Sequence, residues 1–185
     1  MITLVNSQQI PQFISKMKDF HHYKTAFSGL HTARSHGKPA PHKALLLLTV
    51  IDMVESGQIK DNRIELTDQL EQHFVALSKK YIGKSLLFRP NIGMPYYHMQ
   101  HEGFWHLIPK DGHDVFKSSQ VRYSKTWLNN EFSHAQLDAE LFELLQNEGV
   151  RAQLRVLLIS TYLTGQPVEL PLGMIVGLIA GLFVA

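Results

Sequence analysis

Apolar residues recur at helical spacing in four stretches of this chain. The first lies near residues 8–20, where the repeating positions are Ile10, Phe13, Ile14 and Met17. The second, Pro41 to Ser56, is almost continuously apolar and predicts a buried helix that ends at Gly57. The third follows Thr67, a favoured N-cap residue. The fourth runs from Asp138 to Leu163 and predicts two helices divided at Gly149.

Other stretches predict strands and loops. Residues 96–100 and 104–108 are rich in aromatic side chains, and His101-Glu102-Gly103 between them suits a tight turn, which predicts a β-hairpin. Ile64-Glu65-Leu66 predicts a short strand, and the Gly-, Pro- and His-rich residues 29–40 predict a loop. Together these elements predict a mainly helical α+β single domain with a small antiparallel β-hairpin or sheet.

Charge clustering changes this picture more than composition does. The chain has 185 residues, no cysteine and a formal net charge of +2. The lack of cysteine excludes disulfides and thiolate metal sites and is compatible with a reducing cytoplasm, where we expect the protein. Residues 31–43, 79–89 and 117–125 are basic and contain no acid, whereas carboxylates collect at residues 138–148. This asymmetry favours a polyanion-binding face, although basic patches also occur on proteins that bind nothing charged.

The start of the second helix is a candidate anion site. Pro41 suits the first helical turn, so His42 and Lys43 follow beside N–H groups that have no intrahelical acceptor. Because the helix dipole disfavours cations at this end, extra positive charge there predicts a bound anion, most commonly phosphate. The alternative is a core helix whose first turn is basic but binds nothing.

The aromatic stretch and the many histidines each have an interpretation other than nucleic-acid binding. The aromatic stretch could present rings and imidazoles that stack on nucleic acid, or it could simply close the core. Eleven histidines also raise the question of a zinc site, but without cysteine and with few nearby carboxylates we expect no metal and no cofactor. No nucleophile motif or carboxylate pair is present, so we expect no catalytic residue in this chain.

Three ordered motifs resemble a known family. They are Gly37-Lys38-Pro39-Ala40-Pro41-His42-Lys43 with the leucine run after it, Pro95-Tyr96-Tyr97-His98-Met99 with Gly103-Phe104-Trp105-His106-Leu107, and Leu137-Asp138-Ala139-Glu140-Leu141-Phe142-Glu143-Leu144-Leu145-Gln146. As a set they are similar to the N-terminal sulfur-binding domain of phosphorothioate-dependent (type IV) HNH restriction endonucleases. The likeness covers about residues 10–163.

The resemblance implies a module that binds phosphorothioate-modified duplex DNA as the target-sensing part of a restriction system. In that family an apolar pocket accepts the sulfur, while basic side chains hold neighbouring oxygens. Carried over, the pocket comprises Pro95 and Tyr96 with His98 nearby, and His42 and Lys43 form the anion clamp. The further DNA-binding candidates are Arg34, Lys38, Arg89, Lys117 and Arg122.

The sequence departs from the family pattern at two positions near these motifs. Ala44 follows the His42-Lys43 pair where proline is usual, and Tyr96 stands where phenylalanine is usual. The second departure adds a hydroxyl group next to the expected apolar pocket.

The C-terminal sequence differs from the family. An HNH nuclease module is expected after the helix that ends near Leu163, but no His-Asn-His arrangement or CxxC pair is found. We therefore expect residues 1–166 to bind DNA without cutting it, with a separate nuclease as a possible partner. Residues 167–185 form an apolar tail outside the domain core, with glycines at Gly173, Gly177 and Gly181.

The tail leaves further alternatives open. Its apolar part is about sixteen residues long, shorter than the ~20 residues that span a bilayer. It could be the product of a truncated or frame-shifted gene, or a helix that contacts a membrane or a partner. The alternative functions are a general or differently specific DNA-binding domain of an HNH-endonuclease-like protein, and a membrane-tethered interaction protein.

Overall fold

The structure, a computed structural model, describes residues 18–35, 38–83, 90–111 and 122–163. In these ranges it confirms the predicted mainly helical α+β architecture. The elements in chain order are α1 (Phe20–Ser28), β1 (Arg34–Ser35), β2 (Lys38–Pro39), α2 (His42–Glu55), α3 (Asp68–Ile82), α4 (Gly93–His98), a 3-10 helix (Met99–Glu102), β3 (Trp105–Pro109), α5 (Lys125–Glu131), β4 (Phe132–Leu137), α6 (Ala139–Leu144) and α7 (Glu148–Tyr162).

Helix α2 is the centre of the core. It follows the predicted bounds to within one residue, with Pro41 at its N-cap and Ser56 at its C-cap. Eleven of its residues, from Lys43 to Val54, are buried, because α3, α4 and α7 all pack against it. A helix that is apolar on every side requires such surrounding layers, so the continuous apolar run is explained.

The predictions for α3 and for the last two helices meet different outcomes. The Thr67 side chain accepts a hydrogen bond from the Leu70 N–H at 3.1 Å, so the predicted cap of α3 is confirmed. Between α6 and α7, however, the break lies at residues 145–147 rather than at Gly149. The reason is the side chain of Asn147, which accepts from the Val150 N–H at 3.1 Å and starts α7 there.

The predicted β-hairpin is wrong. Its first half is helical, since the Asn91 side chain accepts from the Gly93 N–H at 2.9 Å and Pro95 fits the first turn of α4. Tyr96 and Met99, three residues apart, are then buried on one helical face. Gly103, with φ of +79°, ends the 3-10 helix, and only the second predicted strand forms.

That strand, β3, pairs with a strand the sequence pattern did not reveal. β3 and β4 are antiparallel, with Trp105 opposite Leu137 and Ile108 opposite His134. Ile64 of the short predicted strand adds a single bridge to Ala135. The predicted loop over residues 29–40 also contains a two-residue pairing, in which Arg34 lies opposite Pro39 and Ser35 opposite Lys38.

Two predicted segments fall largely or wholly outside the described residues. The helix expected near residues 8–20 lies mostly before Lys18, and the first described helix begins only at Phe20, where the Asp19 carboxylate caps it. The tail, 167–185, also lies outside them. Within the described stretches, none of the helices combines the length and the apolar character needed to cross a membrane.

Gly93 is required for α4 to dock. A Cβ atom on this residue would lie 2.0 Å from the Tyr123 carbonyl oxygen, far inside contact distance. We expect Gly93→Ala to lower the free energy of unfolding by about 1–3 kcal/mol, because backbone has to move to relieve the overlap. Urea unfolding measures the change.

Gly29→Ala is the matched control for this substitution. Its added Cβ would lie at an ordinary 3.5 Å from the Thr25 carbonyl oxygen. Equal stability of the two variants would contradict the proposed close docking of α4.

Candidate nucleic-acid interface

A pocket of about 720 Å³ lies where the start of α2 meets α4, the 3-10 helix and the segment before β1. Four of the predicted site residues line it together: His42, Lys43, Pro95 and His98. The other lining residues are His31, Thr32, Ala33, Ala40, Met94 and His101. Two motifs that are far apart in the sequence thus meet at one surface.

One wall of the pocket is apolar. Met94 is 47% exposed, which is unusual for a large apolar side chain, and Pro95 beside it is buried in the first turn of α4. Ala33 and Ala40 contribute small methyl groups to the lining. Such a wall favours an atom that is large and weakly hydrated, because contact then costs little desolvation and gains dispersion energy.

Lys43, which also lines the pocket, belongs to a buried ion pair that the sequence did not reveal. The Lys43 ammonium contacts the Glu102 carboxylate, and their side chains are only 11% and 3% exposed. Lys43, predicted as part of an anion clamp, therefore already has a carboxylate partner within the protein. The two residues are 59 positions apart, and the 3-10 helix that brings Glu102 to Lys43 was predicted as the end of a strand followed by a turn.

Glu102 also holds the segment before β1. The backbone N–H of His31 lies 3.2 and 3.3 Å from the two carboxylate oxygens, and the His31 Nδ1 lies 3.2 Å from Oε2. One carboxylate therefore joins α2, the 3-10 helix and this segment. It fixes the relative positions of three pocket walls.

His98 is a half-buried imidazole of the pocket. Its Nε2 lies 2.9 Å from the Tyr123 hydroxyl oxygen, and its ring centroid lies 5.9 Å from that of His101. Burial lowers the pKa of His98 below its usual 6.5, and the positive charges of His101 and Lys43 lower it further. The ring is therefore neutral at neutral pH.

Tyr96 was predicted to line the pocket, and this placement is corrected. The side chain is 1% exposed, and its ring meets Trp105 edge to face with centroids 5.5 Å apart. Its hydroxyl donates to the Ile64 carbonyl oxygen at 2.8 Å. Burial accordingly raises the pKa of Tyr96 well above its usual range. The hydroxyl is thus satisfied inside the core and adds no polarity to the pocket.

The structure describes only some of the remaining residues that were predicted to contact DNA. Arg34 and Lys38 belong to the paired strands β1 and β2, whereas Arg89 and Lys117 lie outside the described residues. Arg122 is exposed and directly precedes Tyr123, the partner of His98. Lys125 of the same basic cluster contacts Asp68 and Glu71, so its charge is balanced within the protein.

The pocket also contains residues that the sequence analysis did not single out. They are His31, Met94 and His101, and the partners Glu102 and Tyr123, which contact the lining residues Lys43 and His98, were not singled out either. Met94 could have been found from its position directly before Pro95, but Tyr123 carries no local signal. In the described part of the chain, no group of three or more His, Asp or Glu side chains is placed to hold a metal ion.

Comparison with known protein families matches residues 22–178 to the ScoMcrA-like DNA sulfur-binding domain. The match spans most of the sequence, and the chain therefore belongs to this family. The resemblance inferred from the three motifs is confirmed.

Two solved structures share the fold. One is the sulfur binding domain of SprMcrA complexed with phosphorothioated DNA, with a TM-score of 0.57 and 21% identity over 80% of this chain and 88% of that chain. The other is the sulfur binding domain of ScoMcrA complexed with phosphorothioated DNA, with a TM-score of 0.58 and 17% identity over 80% and 91%. No match is found among curated proteins.

The buried ion pair makes a prediction about stability. Lys43→Met leaves the Glu102 carboxylate buried without its main partner, so we expect a loss of about 3–5 kcal/mol in the free energy of unfolding. The double variant Lys43→Met/Glu102→Gln removes both charges and should recover most of this loss. Urea unfolding of both single variants and the double variant gives the coupling energy. Strictly additive losses would contradict a direct, energetically important pair.

Proposed function

We propose that this chain recognises phosphorothioate-modified duplex DNA and that the pocket between α2 and α4 receives the sulfur atom. The observation that carries the proposal is the apolar wall of Met94 and Pro95 beside the basic residues His42 and Lys43. Membership of the DNA sulfur-binding family supports it, as do two similar folds solved with phosphorothioated DNA.

Discrimination follows from the chemistry of the modified linkage. A non-bridging sulfur is larger and more polarizable than oxygen, and water binds it less strongly. The wall formed by Met94 and Pro95 gains dispersion energy from sulfur, whereas a strongly hydrated oxygen loses its water there without compensation. Burial of one apolar group of this size contributes about 1–3 kcal/mol.

Affinity for the duplex has a different origin. Contacts from basic side chains to neighbouring phosphates act on any sequence and weaken with salt, so they position the DNA without reading the modification. Lys43 has three N–H donors, and its contact with Glu102 leaves others for a phosphate oxygen. His42, which lines the pocket, is a further candidate, and so is the exposed Arg122, which directly precedes the Tyr123 partner of His98.

The resemblance of the three motifs to domains of HNH restriction endonucleases supports a wider role. In this proposal the chain is the target-sensing part of a cytoplasmic restriction system. A separate nuclease performs the cleavage.

Fluorescence anisotropy of the full chain tests the proposed function. Two duplexes of one sequence, with and without a single phosphorothioate, are compared at about 50 and 200 mM salt. We expect roughly 5- to 150-fold tighter binding of the modified duplex, and we expect the ratio to persist at the higher salt. Equal, salt-sensitive binding would instead identify a general DNA-binding domain, and absence of binding to both duplexes would overturn DNA recognition altogether.

Pro95 provides a sharper prediction. Pro95→Ala keeps the first turn of α4 but removes methylene surface from the wall, so the preference for the modified duplex should fall by roughly three- to tenfold. Affinity for the unmodified duplex should stay the same, because no charge is altered. Thr126→Ala, an exposed change in α5, is the control. An unchanged preference in Pro95→Ala would show that the sulfur binds elsewhere.

A further inference from the structure

Four imidazoles line the pocket, and they differ in their surroundings. His31 and His101 are exposed, whereas His42 and His98 are half-buried. His98 is the last residue of α4 and lies one turn after the apolar residues Met94 and Pro95. It therefore lies next to the wall on which the proposed sulfur site depends.

We propose that His98 controls the discrimination between sulfur and oxygen: the neutral ring favours the phosphorothioate, and the protonated ring favours an ordinary phosphate. This inference rests on the proposed function of the pocket. It assigns His98 a role in specificity rather than in general affinity for DNA.

The hydrogen-bonding capacity of the ring explains the difference. A neutral imidazole carries no charge and has one N–H donor, and the Tyr123 hydroxyl at 2.9 Å pairs with Nε2 as donor or acceptor according to the tautomer of the ring. A protonated ring donates from both nitrogens in either case, so the nitrogen that is not paired with Tyr123 then carries a charged N–H donor. Phosphate oxygen accepts such a charged hydrogen bond strongly, whereas sulfur is a weak acceptor. Protonation consequently stabilises bound oxygen more than bound sulfur.

The groups around His98 keep its ring neutral under ordinary conditions. Lys43 faces it from α2 and His101 from the 3-10 helix, and both charges oppose its protonation. Tyr97 and Tyr123 contact it with ring centroids 5.4 and 5.1 Å away.

The other charged groups of the pocket belong to neighbouring segments. The nearby carboxylate of Glu102 is engaged by Lys43 and His31, and His42 lines the pocket from the start of α2. Burial lowers the pKa of His98 further, so protonation requires mildly acidic solution.

The experiment is the ratio of the two dissociation constants, unmodified over modified duplex, at about pH 7.5 and about pH 5. For the unaltered chain we expect this ratio to fall by roughly five- to tenfold at the lower pH, since a charged hydrogen bond to oxygen replaces a neutral contact. For His98→Gln, which stays neutral and can still bond to Tyr123, the ratio should not change with pH.

His101→Gln is the matched control. It should retain the fall in the ratio, with the midpoint moved to higher pH because one positive charge beside His98 is gone. An NMR titration of the His98 ring in the unaltered chain gives a second measurement that needs no variant. Performed on the two complexes, it should give a midpoint at higher pH with the unmodified duplex than with the modified one, because protonation stabilises bound oxygen more.

The outcomes separate this inference from the function on which it rests. No preference for the modified duplex at about pH 7.5 would overturn the proposed function itself. A clear preference that is equal at both pH values would overturn only the role of His98. An equal fall in the His98→Gln variant would do the same, because other histidines would then be responsible.

Discussion

The contact between Lys43 and Glu102 holds the proposed recognition surface together. Removing two charges from water is costly, and only close geometry with additional hydrogen bonds repays that cost. Glu102 meets this requirement, since it contacts Lys43 and also accepts from the backbone of His31. The walls of the pocket are therefore set relative to one another within the protein itself, before any ligand is considered.

The second constraint is the burial of α2. Because the helix is apolar on all sides, its few charged side chains require partners at its ends. Near its end, Arg155 of α7 donates to Asp52 at 2.6 Å and to Glu55 at 2.7 Å. At its start, Lys43 is paired with Glu102. Ion pairs thus anchor both ends of the central helix, and the pocket lies at its N-terminal end.

The sequence alone predicts the elements whose signals are local. The bounds of α2 and α3 follow from periodicity, from Pro41 and from the Thr67 cap. The aromatic stretch misleads, because pairing of β3 with the distant β4 and the turn at Asn91 decide its conformation. The intrinsic strand propensity of a segment carries no information about such tertiary contacts.

The residues of the candidate site likewise fall into those that a local motif predicts and those that only the tertiary structure brings together. His42, Lys43, Pro95 and His98 are predicted from motifs and do meet at one pocket. Their partners are not predictable, since Glu102 and Tyr123 reach them across 59 and 25 positions. Tyr96 was predicted to line the pocket but is buried in the core, because its place in a motif does not determine which face of the helix it occupies. Short motifs therefore identify the residue types near a site better than they identify which way each side chain points.

The docking of Gly93 against the Tyr123 carbonyl has a consequence for how specificity can change. The close approach at this point is between the main chains of Gly93 and Tyr123, with the Leu128 side chain beside them, so it involves none of the side chains that α4 presents to the pocket. Residues 94, 95 and 98 can therefore be exchanged while this close approach is kept. Selection from libraries at these three positions offers a route to domains that recognise other substituents on the DNA backbone.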